Sequence, residues 1–309
     1  MQNVLLQAAI LIICGALWRK LRPGDLDPDN VRRAVGDLVY YLLLPALVLS
    51  VLWRAPLGLD SLRIAGVAAS GVLMGLAVAG LWCRLCSAPR YQAGALILAA
   101  GFPNATYLGL PILEATLGPT GRSIAIQYDL FACTPLLLTV GVLLAQQYGQ
   151  QSAQQGGIAR ILPALLKVPP LWAALLAIIF NLSGTPFPDW LAPTLQSLGA
   201  AVIPLMLFAL GLGLSWDPQA ARQLPIATPA LVIQLLLMPL LAWGLADLTG
   251  LEGDKLTGVV LEAAMPSMVI GLVLCDRFGL DTRLYAVTVT LGTALSLVTL
   301  PFWSYLLMR

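Results

Sequence analysis

The chain has 309 residues, 59% of them hydrophobic and 10% charged, with a mean hydropathy of +0.87 and a formal charge of +2. A soluble domain carries about a quarter charged residues, so this composition excludes one, and the near-balanced charge gives no case for nucleic acid. Histidine is absent, which removes Ser-His hydrolases, His-ligated haem and His-containing zinc sites.

Apolar runs too long for core helices fill most of the chain. About 20 apolar residues, each rising 1.5 Å, cross the hydrocarbon of a bilayer, and lipid leaves the backbone no partner but itself, so each run is helical. Runs such as 231–241 do not alternate as barrel strands do. The first helix, 3–17, has no Lys or Arg before it and Arg19, Lys20 and Arg22 after it. A secretory signal has the reverse order, so this reads as an uncleaved helix with a translocated N-terminus. Helices 35–53 and 64–82 follow, the latter with Gly71 and Gly75 at a close-packing spacing. Cys83 and Cys86 have a redox or metal spacing but no partner pair elsewhere, so they are read as structural and no metal site or cofactor is expected. Helices 92–117 and 123–146 complete the first half. The Gln/Gly/Ser stretch 147–157 is a linker that cannot build a core. Helices 161–182, 193–214, 224–246, 255–278 and 284–307 make up the second half.

The expected fold is an all-α membrane protein of ten transmembrane helices. Residues 1–146 and 158–309 each hold five, and an odd number per half makes the halves run in opposite directions, as two inverted five-helix repeats. With the N-terminus outside, Arg19, Lys20, Arg22, Arg32, Arg33, Arg84, Arg90, Arg160, Lys167, Arg222, Arg277 and Arg283 fall inside. Arg54, Arg63, Arg122, Lys255 and Arg309 fall outside. The positive-inside rule favours this orientation, with both termini outside the cytoplasm and the linker within it.

The fourth and ninth helices are expected to break. Pro103 lies 11 residues after Gln92, and Pro266 lies 11 after Lys255, so both fall about 16 Å deep, near the bilayer midplane. Proline lacks an amide hydrogen and crowds the preceding turn, which frees the carbonyls of Ala99 and Glu262. Two such breaks at matched positions point to a transporter's central site. The candidate substrate-binding residues are Pro103, Asn104, Ala105 and Thr106 at the first break and Pro266, Ser267 and Met268 at the second. No Lys or Arg falls deep inside a helix. A small carboxylate would therefore be held by half-helix N-termini near Asn104 and Ser267 and by neutral donors. The same polar side chains could equally serve the freed backbone. Asp129 and Glu262 are acids at membrane depth, where such groups are costly and commonly functional. They are the candidates for ion coupling by a proton or sodium.

Residues 101–112, Gly-Phe-Pro-Asn-Ala-Thr-Tyr-Leu-Gly-Leu-Pro-Ile, resemble the fourth-helix motif of the auxin efflux carrier family, whose bacterial members include organic-acid carriers. Residues 263–271, Ala-Ala-Met-Pro-Ser-Met-Val-Ile-Gly, and then 276–281, Asp-Arg-Phe-Gly-Leu-Asp, resemble its ninth helix and following loop. Leu44-Pro45 and residues 203–211 resemble its second and seventh helices. The resemblance covers essentially the whole chain. It implies a fold shared with bile-acid symporters and sodium–proton antiporters, with helices 4 and 9 crossing at their breaks. It also implies a moving core of helices 3–5 and 8–10, and a scaffold of helices 1, 2, 6 and 7 that is often a homodimer. The implied function is secondary active transport of a small organic anion, a di- or hydroxycarboxylate, through the cell inner membrane by an elevator-like mechanism. A sodium-coupled carrier like the bile-acid symporters is the alternative. This chain departs from the plant members in having Ser267 where they repeat asparagine, which argues against auxin as substrate, and in its short linker. Membrane lipid is the other expected partner. An intramembrane protease is the enzymatic alternative: Tyr128-Asp129 matches one half of an aspartyl pair, but the later Gly253-Asp254 lies in a loop, so an enzyme is not expected.

Overall fold

In a computed structural model the chain is all-helical. The structure describes residues 2–149, 166, 168–213 and 220–308. Most of the 147–157 linker, the start of the expected sixth helix, Arg160 and Lys167 lie outside the described residues, as does Arg309.

The helices are α1 (Gln2–Leu21), α2 (Pro28–Leu52), α3 (Leu59–Leu85), α4 (Arg90–Gly101), α5 (105–117), α6 (119–148), α7 (Pro169–Leu182), α8 (Ala192–Gly213), α9 (220–248), α10 (Gly253–Ala263), α11 (Gly271–Phe278) and α12 (Thr282–Leu307). Among the described residues, six helical runs are long and apolar enough to cross a membrane. One of them, Ala105–Tyr148, has 44 residues. Straight, it would measure about 66 Å, twice the hydrocarbon thickness. It folds back instead at Gly118 (φ 63°, ψ −142°), a conformation that a residue with a side chain resists, followed by Pro119. That bend separates α5 from α6.

The helix starts differ from expectation where capping extends them. α2 begins at Pro28 rather than 35, because the Asp27 carboxylate accepts from the Asn30 amide at 3.2 Å and Pro28 suits a first turn. α7 is described from Pro169, a residue suited to a first turn, and the earlier part of the expected 161–182 helix lies outside the described residues. Four helices carry a widened turn that ends two residues before a proline: 39–43 before Pro45, 105–109 before Pro111, 129–133 before Pro135 and 233–237 before Pro239. A proline ring collides with the carbonyl four residues back. Widening the turn, as in Leu44 N–H to the Val39 carbonyl, moves that carbonyl aside without breaking the helix.

The helices pack in two groups. α1, α2, α7 and α8 pack on one another, while α3, α4, α6, α9, α10, α11 and α12 form the second set of neighbours. α7 is locked to the end of α2 by Asn181, whose amide donates to the carbonyls of Leu52, Trp53 and Ala55 at 3.0, 2.9 and 2.8 Å. In the second group the buried Gln234 amide, in the widened turn of α9, donates to the Ala263 and Met265 carbonyls at 3.2 and 3.0 Å. Those carbonyls lie where α10 stops short of Pro266 and has no next turn to bond them.

Gln234→Leu leaves both carbonyls buried without that donor, at about 1–3 kcal/mol. A clear fall in the melting temperature of detergent-purified protein is the expected result, measured against Gln223→Leu at the other end of α9.

Candidate functional site

α4 and α10 have 12 and 11 residues. Each therefore reaches only about 16–18 Å, near the middle of a bilayer, before its proline stops it. The two ends meet there. Pro103 and Ser267 pair as an isolated antiparallel bridge. The Asn104 N–H donates to the Pro266 carbonyl at 2.7 Å, and the Met268 N–H to the Phe102 carbonyl at 3.0 Å. Each broken chain thus supplies a donor to the other. The Ser267 hydroxyl donates to the Ala99 carbonyl at 2.6 Å, the very group that Pro103 deprives of its helical donor. The Glu262 carbonyl, freed by Pro266, accepts from the Met265 N–H at 3.1 Å.

The two breaks are not equivalent. The α5 helix begins directly after Asn104, but α11 begins only at Gly271 rather than near Ser267. Residues 266–268 are held extended by the bridge and by the Tyr285 hydroxyl, which donates to the Met268 carbonyl at 2.8 Å. The Ser267 side chain is spent on the backbone, whereas the Asn104 side-chain nitrogen is buried without a partner.

A central cavity of about 30 Å³ lies beside the crossover, room for about one water. Asn104, Thr106, Met268 and Asp129 line it, together with Tyr40, Tyr107, Thr134 and Met206. Pro103, Ala105, Pro266 and Ser267 form the buried frame behind it. Among the described residues no Lys or Arg lines this cavity. Asp129 opens a widened turn, and its carboxylate accepts from the Thr106 hydroxyl and from Thr134 at 3.2 Å. Thr134 escaped the sequence reading because it is a lone threonine in an apolar run. Its position five residues after Asp129 matters only because the turn there is widened. Glu262 does not reach the cavity. It is fully buried, neither carboxylate oxygen has a partner among the described residues, and it packs against Gly109, where any Cβ would collide with the carboxyl. Sequence placed the acid at depth; only the fold brings α5 across it.

The central cavity shares Tyr40, Tyr107, Thr134 and Ile270 with a cleft of about 320 Å³ that also holds Arg32, Arg33 and Asp37. A second cleft, of about 340 Å³, lies at the other end of α2 beside Arg54 and shares no residue with the central cavity. The central cavity therefore borders the cleft at the Arg32 end. Asp254, the other half of the proteolytic pairing, is exposed at the start of α10 while Asp129 is buried, so the structure does not bring an aspartyl pair together. Among the described residues there is no cluster of metal-ligating side chains.

The chain matches the membrane transport protein family over residues 4–304. It is 32% identical to an uncharacterized transporter of Methanothermobacter thermautotrophicus over 99% of this chain and 98% of that one. It is 27% identical to the uncharacterized transporter YfdV of Escherichia coli K12 over 69% of this chain and 68% of that one. A shorter likeness, 25% identity over 43% of this chain and 24% of the relative, joins it to auxin efflux carrier component 6 of Arabidopsis thaliana. With a family match over nearly its whole length, several apolar helices long enough to cross a membrane and two broken helices that meet at their breaks, the chain belongs to the membrane transport protein family, that of the auxin efflux carriers, and is a multi-pass membrane transporter.

Proposed function

We propose that this transporter moves a small organic anion, a di- or hydroxycarboxylate, by elevator-like alternating access, and that Asp129 and Glu262 carry the coupling ion. The observation that carries this reading is the pairing, on one central cavity, of an unpartnered Asn104 amide with an Asp129 carboxylate held by two hydroxyls. The amide and the N-terminus of α5 favour a carboxylate. Two like charges about 5 Å apart repel by about 3 kcal/mol at an effective dielectric of 20. An anion bound there is therefore favoured only when a proton or a monovalent cation sits on Asp129. Substrate and ion would then load together, which is the chemistry of a coupled carrier. Glu262, with no partner on either oxygen among the described residues, supplies a second place for such an ion.

The present cavity is too small for any carboxylate, so transport requires the walls to part. The two helix groups suggest how. α1, α2, α7 and α8 serve as a scaffold, dimeric in the inner membrane, and the rest move as a core with the crossover. Ten crossings in two inverted repeats, termini outside and the linker in the cytoplasm complete this reading. The crossover then opens inward, since Arg32 and Arg33 mark the cytoplasmic end.

In proteoliposomes with a panel of small carboxylates, Asn104→Ala weakens substrate binding by about 1–3 kcal/mol, the loss of a buried hydrogen bond. Ser183→Ala, on an exposed helix end, leaves binding unchanged. Equal effects at both positions would place the site elsewhere.

Asp129→Asn or Glu262→Gln keeps size and removes charge. Uphill uptake driven by a proton or sodium gradient should be lost in at least one of them, while exchange between two substrate-filled sides survives. If both accumulate substrate as well as the parent does, neither acid couples.

A cysteine placed in the 147–157 linker should resist an impermeant thiol reagent in intact cells. Labelling from outside reverses the orientation.

A further inference from the structure

The cleft at the other end of α2 is a built polar site that the crossover does not use. Its volume, about 340 Å³, falls in the range of small-molecule pockets. Arg54, Arg122 and Lys255 line it, as do Ser123, Gln127 and Gln196, and among the described residues Asp60 is the one acid on its wall. The charges do not cancel. Lys255 and Arg63 both pair with Asp60, and Arg122 pairs with Glu114. Arg54 has no carboxylate within ion-pair distance among the described residues. Its guanidinium lies 3.7 Å from the centre of the Phe187 ring instead.

An unpaired arginine is unremarkable when it is free to wander, but this one is held. The backbone on both sides of it is tied down by Asn181, through the carbonyls of Leu52, Trp53 and Ala55. The Trp53 indole donates to the Thr185 carbonyl at 2.9 Å and stacks on Phe180 at 4.3 Å. Phe187 then faces the guanidinium itself. Arg54 is exposed, but its anchored backbone and the ring against its guanidinium restrict where the side chain reaches. A cation so placed, without a counter-ion among the described residues, can receive an anion, and its planar fork suits a carboxylate. Gln127 at the wall is buried, gives its amide nitrogen to Ser123 at 2.9 Å and leaves its oxygen unpartnered. Exchanging the two amide ends lets the oxygen accept from Ser123 and leaves the nitrogen open, so in either orientation one polar atom is spare.

We propose that this cleft is a second carboxylate site, anchored by Arg54 and separate from the crossover, where a substrate anion waits on the side opposite to the open one. The assignment of a carboxylate rests on the organic-anion reading above; the anion site itself rests on Arg54. Ser50 comes from α2, Arg54 from the turn just after it and Gln196 from α8, whereas Ser123, Gln127 and Lys255 come from the second helix group. Any displacement of one group past the other therefore reshapes this site, and a bound anion feels the state of the carrier.

The test uses the full chain in lipid nanodiscs, with the native cysteines replaced by serine or alanine and a single Gln196→Cys as reporter. A charged methanethiosulfonate labels the reporter in the presence of succinate, malate or citrate. At least one of the three should slow labelling. Arg54→Gln should raise the concentration needed for half-protection about tenfold, the loss of one charge-assisted contact, while Arg54→Lys recovers part of it. Asn104→Ala, in the crossover, should leave protection unchanged. The site is refuted if none of the three acids protects, if Arg54→Gln protects as well as the parent, or if Asn104→Ala abolishes protection. Equal protection by sulfate refutes the carboxylate specificity. Carboxylate transport that persists while protection is absent removes this site alone; protection without carboxylate transport removes the transport reading alone.

Discussion

Backbone groups at the middle of a bilayer have no water to turn to, and two prolines at that depth leave several of them without helical partners. The rest of the structure depends on how those groups are satisfied. Each broken segment bonds the other, through Asn104 to Pro266 and Met268 to Phe102, and Ser267 caps the carbonyl that Pro103 strands. Neither break is stable alone, so the two halves of the chain must meet at this point. Gln234 and Tyr285 then brace the second break from neighbouring helices. The bracing residues Gln234 and Tyr285 come from α9 and α12, in the same helix group as α4 and α10, so in the elevator-like motion proposed above they would travel with the crossover.

The same constraint sorts the polar side chains by role. Ser267 is committed to the backbone. Asn104 has a donor to spare. That asymmetry gives the site a direction, since ligand-facing chemistry collects on the α5 side, where Asp129, Thr106 and Thr134 also converge. Among the described residues no cationic side chain lines the central cavity, whereas Arg32 and Arg33, and Arg54, Arg122 and Lys255, line the clefts at the two ends of α2. On the proposed anion reading, positive charge at each mouth would raise the local concentration of substrate, and the neutral donors between would favour release.

Much of this was legible in the sequence. The apolar runs, the matched prolines 11 residues into the fourth and ninth helices, and the two acids at depth are local features of the chain. So is the family resemblance, whose motifs are contiguous stretches of residues. Proline chemistry alone foretells that Ala99 and Glu262 lose their helical donors. What could not be read is which group replaces them. The candidate role of Ser267 was open between backbone and ligand, and the two readings differ only in where Ala99 lies in space. The start of α11 at Gly271 rather than beside Ser267 has the same origin, because contacts from Phe102 and Tyr285 hold residues 266–268 extended against any local helical preference.

Sequence by itself determined the class of protein, the places where its helices stop and the depth of its acids, because hydropathy, proline geometry and rise per residue are properties of a single segment. Tertiary structure alone decided the partners. Thr106 and Thr134 meet Asp129 through a widened turn, Glu262 is sealed against Gly109, and Arg54 is left unpaired while Lys255 and Arg122 are not. Each of these outcomes joins residues from different helices or depends on a turn that deviates from the regular ladder. Hydrogen bonds and ion pairs act over a few ångströms, and only packing sets which distant residues come that close.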